Sequence, residues 1–244
     1  MPDAVSAFFS IISARFVSRM IRFREITISR PTVKKTRATR RRPAEVRRLL
    51  LEAAGRVFRK KGYGETTVEE IFTEAGVARS ATYRHFSSKA DLFRHAILQP
   101  FVEILQEYSA TWDDLDDLVW SEETLAETLV GLTYDSFDHH RDTFLAIVGA
   151  LGSMDDDLKA LVQTELQRFF DAVMAYCYTQ AKRSGWIPLE GLEMTVRLTM
   201  GSVAAAVLMA DLFLPAGANR PTRDQIVKHI SALALYGNRL TRSS

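Results

Sequence analysis

From residue 43 onward, apolar residues recur every three or four positions, which is the spacing that gathers them on one side of an α-helix. The first segment with this pattern has Val46, Leu49, Leu50, Ala53, Val57 and Phe58 in register. It opens at Pro43, which suits a first helical turn, and closes with Lys60 and Lys61 before Gly62. Cations near the carboxyl end and a glycine after it are typical helix-stop signals. The pattern therefore predicts an amphipathic helix over residues 43–62.

Two short helices separated by a tight turn are predicted next. Thr67-x-x-Glu70 is a capping box that starts the first of them, and Gly76 ends it. The second begins only two or three residues later and covers residues 79–86. Two helices joined by so short a turn cross steeply, as in a helix-turn-helix.

The rest of the chain is predicted to be helical as well. Ser88-x-x-Asp91 caps a helix that begins at Lys89 and continues to about Ser109. After an acidic loop at 113–117, further helices are predicted at 122–140, 141–151, 155–184, 189–214 and 222–240. Strand-like alternation bounded by hairpin turns does not occur, so the predicted fold class is all-α.

Charge is distributed unevenly over the 244 residues, although the net charge is only +2. Residues 1–42 hold eleven Lys or Arg against two acidic side chains, whereas residues 96–244 hold eleven basic against twenty-one acidic. A basic amino-terminal third on an acidic body indicates contact with a polyanion such as nucleic acid. A solvated basic tail is the alternative explanation.

The leader, residues 1–42, has three interpretations. Residues 7–23 mix apolar side chains with arginine, and a polar basic run follows. The leader is disordered, or absent because synthesis starts downstream, for example at Met20. Alternatively it is an arm that touches DNA, or a targeting segment of the organelle-transit type.

The amino-acid composition indicates the cellular compartment of the protein. The single cysteine, Cys177, excludes an internal disulfide framework and a multi-cysteine zinc site, which indicates a reducing compartment and a cytoplasmic protein. The most apolar stretch, residues 196–214, contains Arg197 and Asp211. A buried helix explains it better than a membrane span does.

Sequence motifs argue against catalysis. The chain has no Gly-rich phosphate loop, nucleophile elbow or zincin motif, so we expect neither an enzyme nor a cofactor. Adjacent His139 and His140 point in different directions along a helix and are expected to form a polar helix end, not a metal site.

The segment 79–86 has the chemistry of a DNA-reading helix. Its hydrogen-bonding side chains are Arg79, Ser80, Thr82, Tyr83, Arg84 and His85. An α-helix fits the major groove, where arginine can bind a guanine edge in bidentate fashion. Val77 and Phe86 bracket the helix as anchors, and Lys89 lies in the first turn of the next helix, where a phosphate would be a suitable partner. The alternative is a solvated polar turn with Tyr83 packed on its neighbours.

These residues are similar to the DNA-binding domain of the TetR (tetracycline repressor) family. The resemblance covers residues 43–97 and rests on Ala53-Ala54-x-x-x-Phe58-x-x-x-Gly62-Tyr63, Thr66-Thr67-Val68-x-x-Ile71, Ala75-Gly76-Val77 and Thr82-Tyr83-x-His85-Phe86-x-x-Lys89-x-x-Leu92. It implies phosphate contacts by Thr66 or Thr67, Tyr83, His85 and Lys89, and base contacts by Arg79, Ser80 and Ala81. We count Arg84 with these DNA-binding residues. The sequence departs from the family at Ala78, where a small hydroxyl residue often caps the recognition helix, and its leader is longer than usual.

The resemblance also implies that residues 98–244 form an effector-binding and dimerisation domain, whose last two long helices pack against those of a partner. Small residues at 200–207 would permit close helix contact. A second apolar stripe is expected from Ile226, Ile230, Leu233, Leu235 and Leu240. The alternative is that both stripes serve only the internal core. As a homodimer the protein would bind a palindromic double-stranded operator, usually as a repressor, with activation as the other mode.

An apolar cavity for a small hydrophobic effector is a further expectation. The aromatic residues that could line it are Trp112, Tyr134, Phe137, Phe144, Phe170 and Tyr176, although ordinary core is the favoured interpretation for each of them taken alone. The rival function is a helical protein that its Arg-rich leader anchors to a membrane surface or targets elsewhere.

Overall fold

The structure, a computed structural model, describes residues 42–113, 120–185 and 191–241, and gives only the backbone for 111–113 and 237–241. Every element in these ranges is helical and none is a strand, which confirms the all-α fold class. The predictions about residues 1–41, most of the acidic loop, the Trp112 side chain and a helix start at 189 lie outside the described residues. In the described part of the chain, no helix is both long and apolar enough to cross a bilayer.

The helices are α1 (Pro43–Glu65), α2 (Val68–Glu74), α3 (Arg79–His85), α4 (Lys89–Phe93), a π turn (Arg94–Leu98), α5 (Gln99–Asp113), α6 (Glu122–His139), α7 (Arg141–Ala150), α8 (Asp156–Ser184), α9 (Leu192–Leu208), α10 (Ala210–Phe213), a 3-10 turn (Gly217–Asn219) and α11 (Arg223–Thr241). They form two compact units. The first unit holds the described residues up to 100 together with 149–158, and the second holds the remainder.

The core of the first unit forms around α1. Its apolar face buries Leu50, Ala53, Ala54 and Phe58, as the periodicity predicted. The ring of Phe93 meets Phe58 edge-on, with centroids 5.0 Å apart. Gly62 has φ +79° and kinks the helix, which continues for three more residues. The predicted stop is therefore a kink, made by a backbone conformation that only glycine adopts readily.

One helical run joins α4, the π turn and α5. In the π turn the amide of Gln99 donates to the carbonyl of Arg94, five residues back. Pro100 follows directly, and a proline has no N–H and clashes with the carbonyl four residues before it. A wider turn accommodates both effects. The run ends at Asp113, beyond the predicted Ser109.

The second unit is organised by α6, α9 and α11, which pack against one another. The Arg223 guanidinium holds the Asp135 carboxylate through two hydrogen bonds of 2.6 and 2.7 Å, which ties α11 to α6. Arg141 donates to the carbonyls of Val207 and Leu208 at 2.8 and 3.2 Å and so caps α9. The prediction of one helix over 189–214 is therefore wrong, because α9 ends there and the short α10 follows.

Candidate nucleic-acid interface

The predicted capping box at the start of α2 is confirmed. The Thr67 hydroxyl accepts from the Glu70 amide at 3.2 Å, and the Glu70 carboxylate accepts from the Thr67 amide at 3.0 Å. Lys61 also binds Glu70, and these partners hold the pKa of the Glu70 carboxyl below its usual range. Gly76, with φ +59°, then lets the chain turn into α3. The local sequence thus fixes where α2 begins and where the turn toward α3 lies.

The short helix α3 has one buried side and one exposed side. Thr82 is 0% exposed and Phe86, just after the helix, is 2% exposed. Arg79, Ser80 and Arg84 are exposed, as is 47% of Tyr83. Placing Thr82 among the reading groups was wrong, because it lies four residues before Phe86 on the inward side. The remaining polar side chains share the surface that a groove can meet.

Two contacts organise the exposed side of α3. The Arg79 guanidinium carbon lies 5.8 Å from the centroid of the Tyr83 ring, within cation–π range. The Arg84 Nε donates to the Ser80 carbonyl at 3.2 Å. Ala78 is the N-cap and supplies no side-chain hydrogen bond, as its departure from the family pattern indicated.

Of the two threonines expected at the phosphate backbone, only one is accessible. Thr66 is 1% exposed, and its hydroxyl donates to the Gly62 carbonyl at 2.7 Å. It closes the kinked end of α1, so the expectation that Thr66 touches DNA is corrected in favour of the exposed Thr67.

Lys89 lies at the start of α4, and its ammonium group already has hydrogen-bond partners within the chain. Its Nζ donates to the carbonyls of Tyr63 and Gly64 at 2.9 and 3.2 Å, and it lies 4.6 Å from the centroid of the Tyr63 ring. The cost of a cation at a helix amino end is thus offset by carbonyls that end α1. The phosphate contact of Lys89 stays a prediction, since one N–H of the ammonium remains for a further acceptor.

Arg47 is a further cation near α3 that the sequence pattern does not indicate. Arg47 is exposed on α1, and its guanidinium carbon lies 5.4 Å from the centroid of the Phe86 ring. It therefore places a positive charge beside the end of α3. The sequence shows Arg47 only as one of several cations on the polar side of α1, and its proximity to Phe86 arises from tertiary packing.

The aromatic residues predicted to line an effector cavity do not come together. Phe137 and Phe144 pack at 4.2 Å, whereas Phe170 lies under Arg197 at 4.3 Å. Tyr134 lies 6.0 Å from Arg223, and Tyr176 is buried on α8. None of these five lines the large apolar cavity of the second unit. These aromatic residues pack in separate places, because each lies at an apolar position set by the periodicity of its own helix.

Comparison with known proteins matches residues 50–96 to the family of bacterial regulatory proteins named tetR. The HTH-type transcriptional regulator TtgR of Pseudomonas putida is 35% identical over 103 residues, which cover 41% of this chain and 49% of that protein. The HTH-type transcriptional repressor BepR of Brucella suis is 43% identical over 61 residues, covering 25% and 29%. The chain therefore spans about half the length, or less, of these curated relatives.

Solved structures align with this chain over more of its residues than the curated relatives do. The crystal structure of the TetR-family transcriptional regulator PfmR of Thermus thermophilus aligns with a TM-score of 0.57 at 17% identity, covering 77% of this chain and 97% of that one. At this identity the likeness shows the fold alone. The family match over residues 50–96 agrees with the resemblance predicted from the sequence of this segment. Residues 50–96 of this chain are therefore similar to the helix-turn-helix region of the tetR family of bacterial regulatory proteins.

Proposed function

We propose that this protein is a transcriptional repressor that binds a palindromic operator as a homodimer and responds to a small apolar effector. Residues 43–97 would bind DNA, and residues 98–244 would bind the effector and the second subunit. The observation that carries the proposal is the two-sided character of α3. Thr82 is buried on its inner side while Arg79, Ser80 and Tyr83 are exposed.

Each exposed side chain has a role that follows from its chemistry. Arg79 at the start of α3 and Ser80 beside it supply donors for base edges, with the half-buried Ala81 as a small contact for a thymine methyl. The stacking of Arg79 on Tyr83 restricts the guanidinium to the exposed side, which lowers the entropy lost on binding. Arg84 adds a second exposed guanidinium on the same helix.

A second group of side chains suits the phosphate backbone. Thr67 and Tyr83 carry exposed hydroxyl groups, and His85 is half-buried at the end of α3. Lys89 keeps one N–H beyond the two that bind carbonyls. Contacts of this kind fix the register of a protein on the duplex and carry no sequence information themselves.

Exposed apolar side chains on α9 and α11 support a homodimer. On α9, Met194 and Leu198 lie four residues apart, and 63% of Leu198 is exposed. On α11, Leu233 and Tyr236 are each 62% exposed. Monomeric proteins seldom leave such residues uncovered on neighbouring helices. A second copy would cover the same surface by two-fold symmetry, and a two-fold reader requires a palindromic site.

The expected apolar stripe of α11 divides into two parts. Ile226 and Ile230 are buried in the unit's own core, whereas Leu233 faces outward and Leu235 lines the apolar cavity. Leu240 lies outside the described side chains. On α9, Gly201 and Ser202 are exposed between the larger apolar residues, which would let a partner helix approach closely. We infer that the outward part of both helices forms the dimer contact.

Repression is the mode we propose, since BepR, which shares the helix-turn-helix, is named a repressor. Repression needs only occupancy of an operator. Release would follow if an effector in the second unit favoured a form that binds DNA less well.

The proposal is tested by selecting binding sites for the full chain from random double-stranded DNA. We expect an inverted repeat bound by two chains, as measured by light scattering of the complex. A set of recovered sequences with no shared motif, or a single half-site bound by one chain, would overturn the proposal.

A further inference from the structure

The second unit contains an apolar cavity between α6, α8, α9 and α11. Its cavity volume is about 110 Å³, within a wider space of about 820 Å³ that includes open solvent. Its described lining is mainly aliphatic, and includes Leu125, Leu129, Val173, Val196, Met200 and Leu235.

The lining lacks the groups that would select a ring. None of the described lining residues is aromatic, so a flat ligand would find no ring to stack against. Thr133 contributes a hydroxyl, but that group already donates to the Leu129 carbonyl at 2.7 Å and meets the Tyr108 hydroxyl at 2.7 Å. Such walls gain most from dispersion contacts with a flexible chain that follows their shape.

Charge in the cavity has one sign. Two of the described lining residues are ionisable, Glu122 and Cys177. Burial raises the pKa of the Cys177 thiol to about 12, so it stays neutral. Glu122, in the first turn of α6, is then the one described lining residue that carries a charged side chain. No described lining residue is a cation that could pair with an acidic ligand, and a negative charge brought beside Glu122 would be disfavoured.

We propose that this cavity binds a flexible aliphatic molecule without a negative charge, and that Glu122 discriminates against anions. The proposal rests on the effector response proposed above and names the chemistry of the effector. It concerns binding to the second unit, so it can be measured without DNA.

The test uses the full chain and three ligands with one tail and different heads. Decanol, decyltrimethylammonium and decanoate are titrated calorimetrically below their micelle concentrations. We expect saturable binding of decanol and decyltrimethylammonium, and at least about tenfold weaker binding of decanoate. A tenfold change in affinity corresponds to the interaction free energy that shifts a pKa by one unit. Equal or tighter binding of decanoate would overturn the proposal. Tighter binding of naphthylmethanol than of decanol would overturn its aliphatic part.

Variants locate the site. Glu122→Gln is expected to close most of the gap between decanol and decanoate, whereas the matched control Glu123→Gln, exposed on the next residue, keeps it. An unchanged difference in affinity between decanol and decanoate in Glu122→Gln would overturn the assigned role.

Ala126→Phe, which fills the cavity from α6, is expected to abolish decanol binding, with Val196→Phe giving the same test from α9. Normal decanol binding in a folded form of either variant would place the ligand elsewhere.

Failure of this inference is distinguishable from failure of the proposed function. If the head-group order holds but decanol does not release operator DNA, the ligand class stands and the effector response is wrong. If decanoate binds best while operator binding and release are intact, the regulator stands and the ligand class is wrong.

Discussion

The Nζ of Lys89 donates a 2.9 Å hydrogen bond to the main-chain carbonyl of Tyr63, twenty-six residues earlier. The same ammonium lies over the Tyr63 ring, 4.6 Å from its centroid. This links the first turn of α4 to the kinked end of α1, the helices that flank α2 and α3 in sequence. The orientation of the helix-turn-helix thus depends on a cation that we also propose as a phosphate contact.

Replacing Lys89 is therefore expected to affect both stability and binding. Lys89→Met removes two hydrogen bonds from a half-buried ammonium and should lower the free energy of unfolding by about 1 kcal/mol. It should also weaken binding to the selected operator and to scrambled DNA by similar factors, because phosphate contacts carry no sequence information. Denaturant unfolding and gel-shift titration measure the two effects.

The matched control for Lys89 is Lys60→Met, which removes an exposed lysine of α1. It should leave the free energy of unfolding unchanged. Equal stability of the Lys89 and Lys60 variants would show that the contacts with Tyr63 and Gly64 contribute nothing.

Gly62 is expected to tolerate no side chain. Its φ of +79° and ψ of 166° lie in a region that residues with a Cβ avoid, so Gly62→Ala should cost about 2 kcal/mol of unfolding free energy. At Gly64 a Cβ would only meet Ser153 at 3.4 Å, an ordinary contact, and Gly64→Ala should be far milder. Thermal unfolding of the two variants decides, and a similar loss in both would contradict the assignment of strain to Gly62.

Local signals in the sequence predicted most helix boundaries correctly. The Thr67–Glu70 box, the Ser88 cap and Gly76 act through the nearest few residues, so their effect can be read without the fold. The end of α9 could not be read in this way. It depends on Arg141, which lies 66 residues away along the chain and binds the last carbonyls.

The candidate sites were predictable to different degrees. The exposed side of α3 follows from helical spacing, yet the burial of Thr66 and Thr82 depends on packing against other helices. The described aromatic residues that were expected around an effector do not line the cavity of the second unit, whose walls are aliphatic residues that look like ordinary core in sequence. Which apolar positions surround a void is decided by how four helices meet.

His140 provides a pH prediction. Burial, with a smaller contribution from His139, lowers the pKa of His140 from 6.5 to about 4, and its Nε2 has no hydrogen-bond partner among the described residues. The unfolded chain then binds a proton between these values while the folded chain does not, so stability falls as the pH drops through this window. Between about pH 7 and about pH 5 the contribution lost is about 2 kcal/mol.

The measurement is denaturant unfolding of His140→Asn and of the unmodified chain at both pH values. The variant lacks this titration, so its stability should fall by less over the same interval. His139→Asn, at the exposed neighbouring position, is the control and should retain most of the pH dependence, because burial is the larger cause of the lowered pKa. The same fall in all three proteins would show that His140 titrates normally in the folded state.

The proposed dimer surface predicts a change of oligomeric state. Leu198→Glu places a charge on the outward face of α9 and should shift the protein from dimer to monomer, since an interface core does not accommodate an unpaired charge. Val148→Glu makes the same kind of exchange at an exposed apolar residue of α7 and should leave the dimer intact. Size-exclusion chromatography with light scattering separates the cases, and a dimeric Leu198→Glu would place the interface elsewhere.

The most direct test of the account is the effect of Arg79→Ala on sequence discrimination. Binding of the variant and of the unmodified chain is titrated on the selected operator and on scrambled DNA of the same length, at the same salt concentration. If Arg79 reads a base, the variant should lose about 1–3 kcal/mol on the operator and little on scrambled DNA. An equal loss on both DNAs would contradict the claim that α3 reads the operator through Arg79.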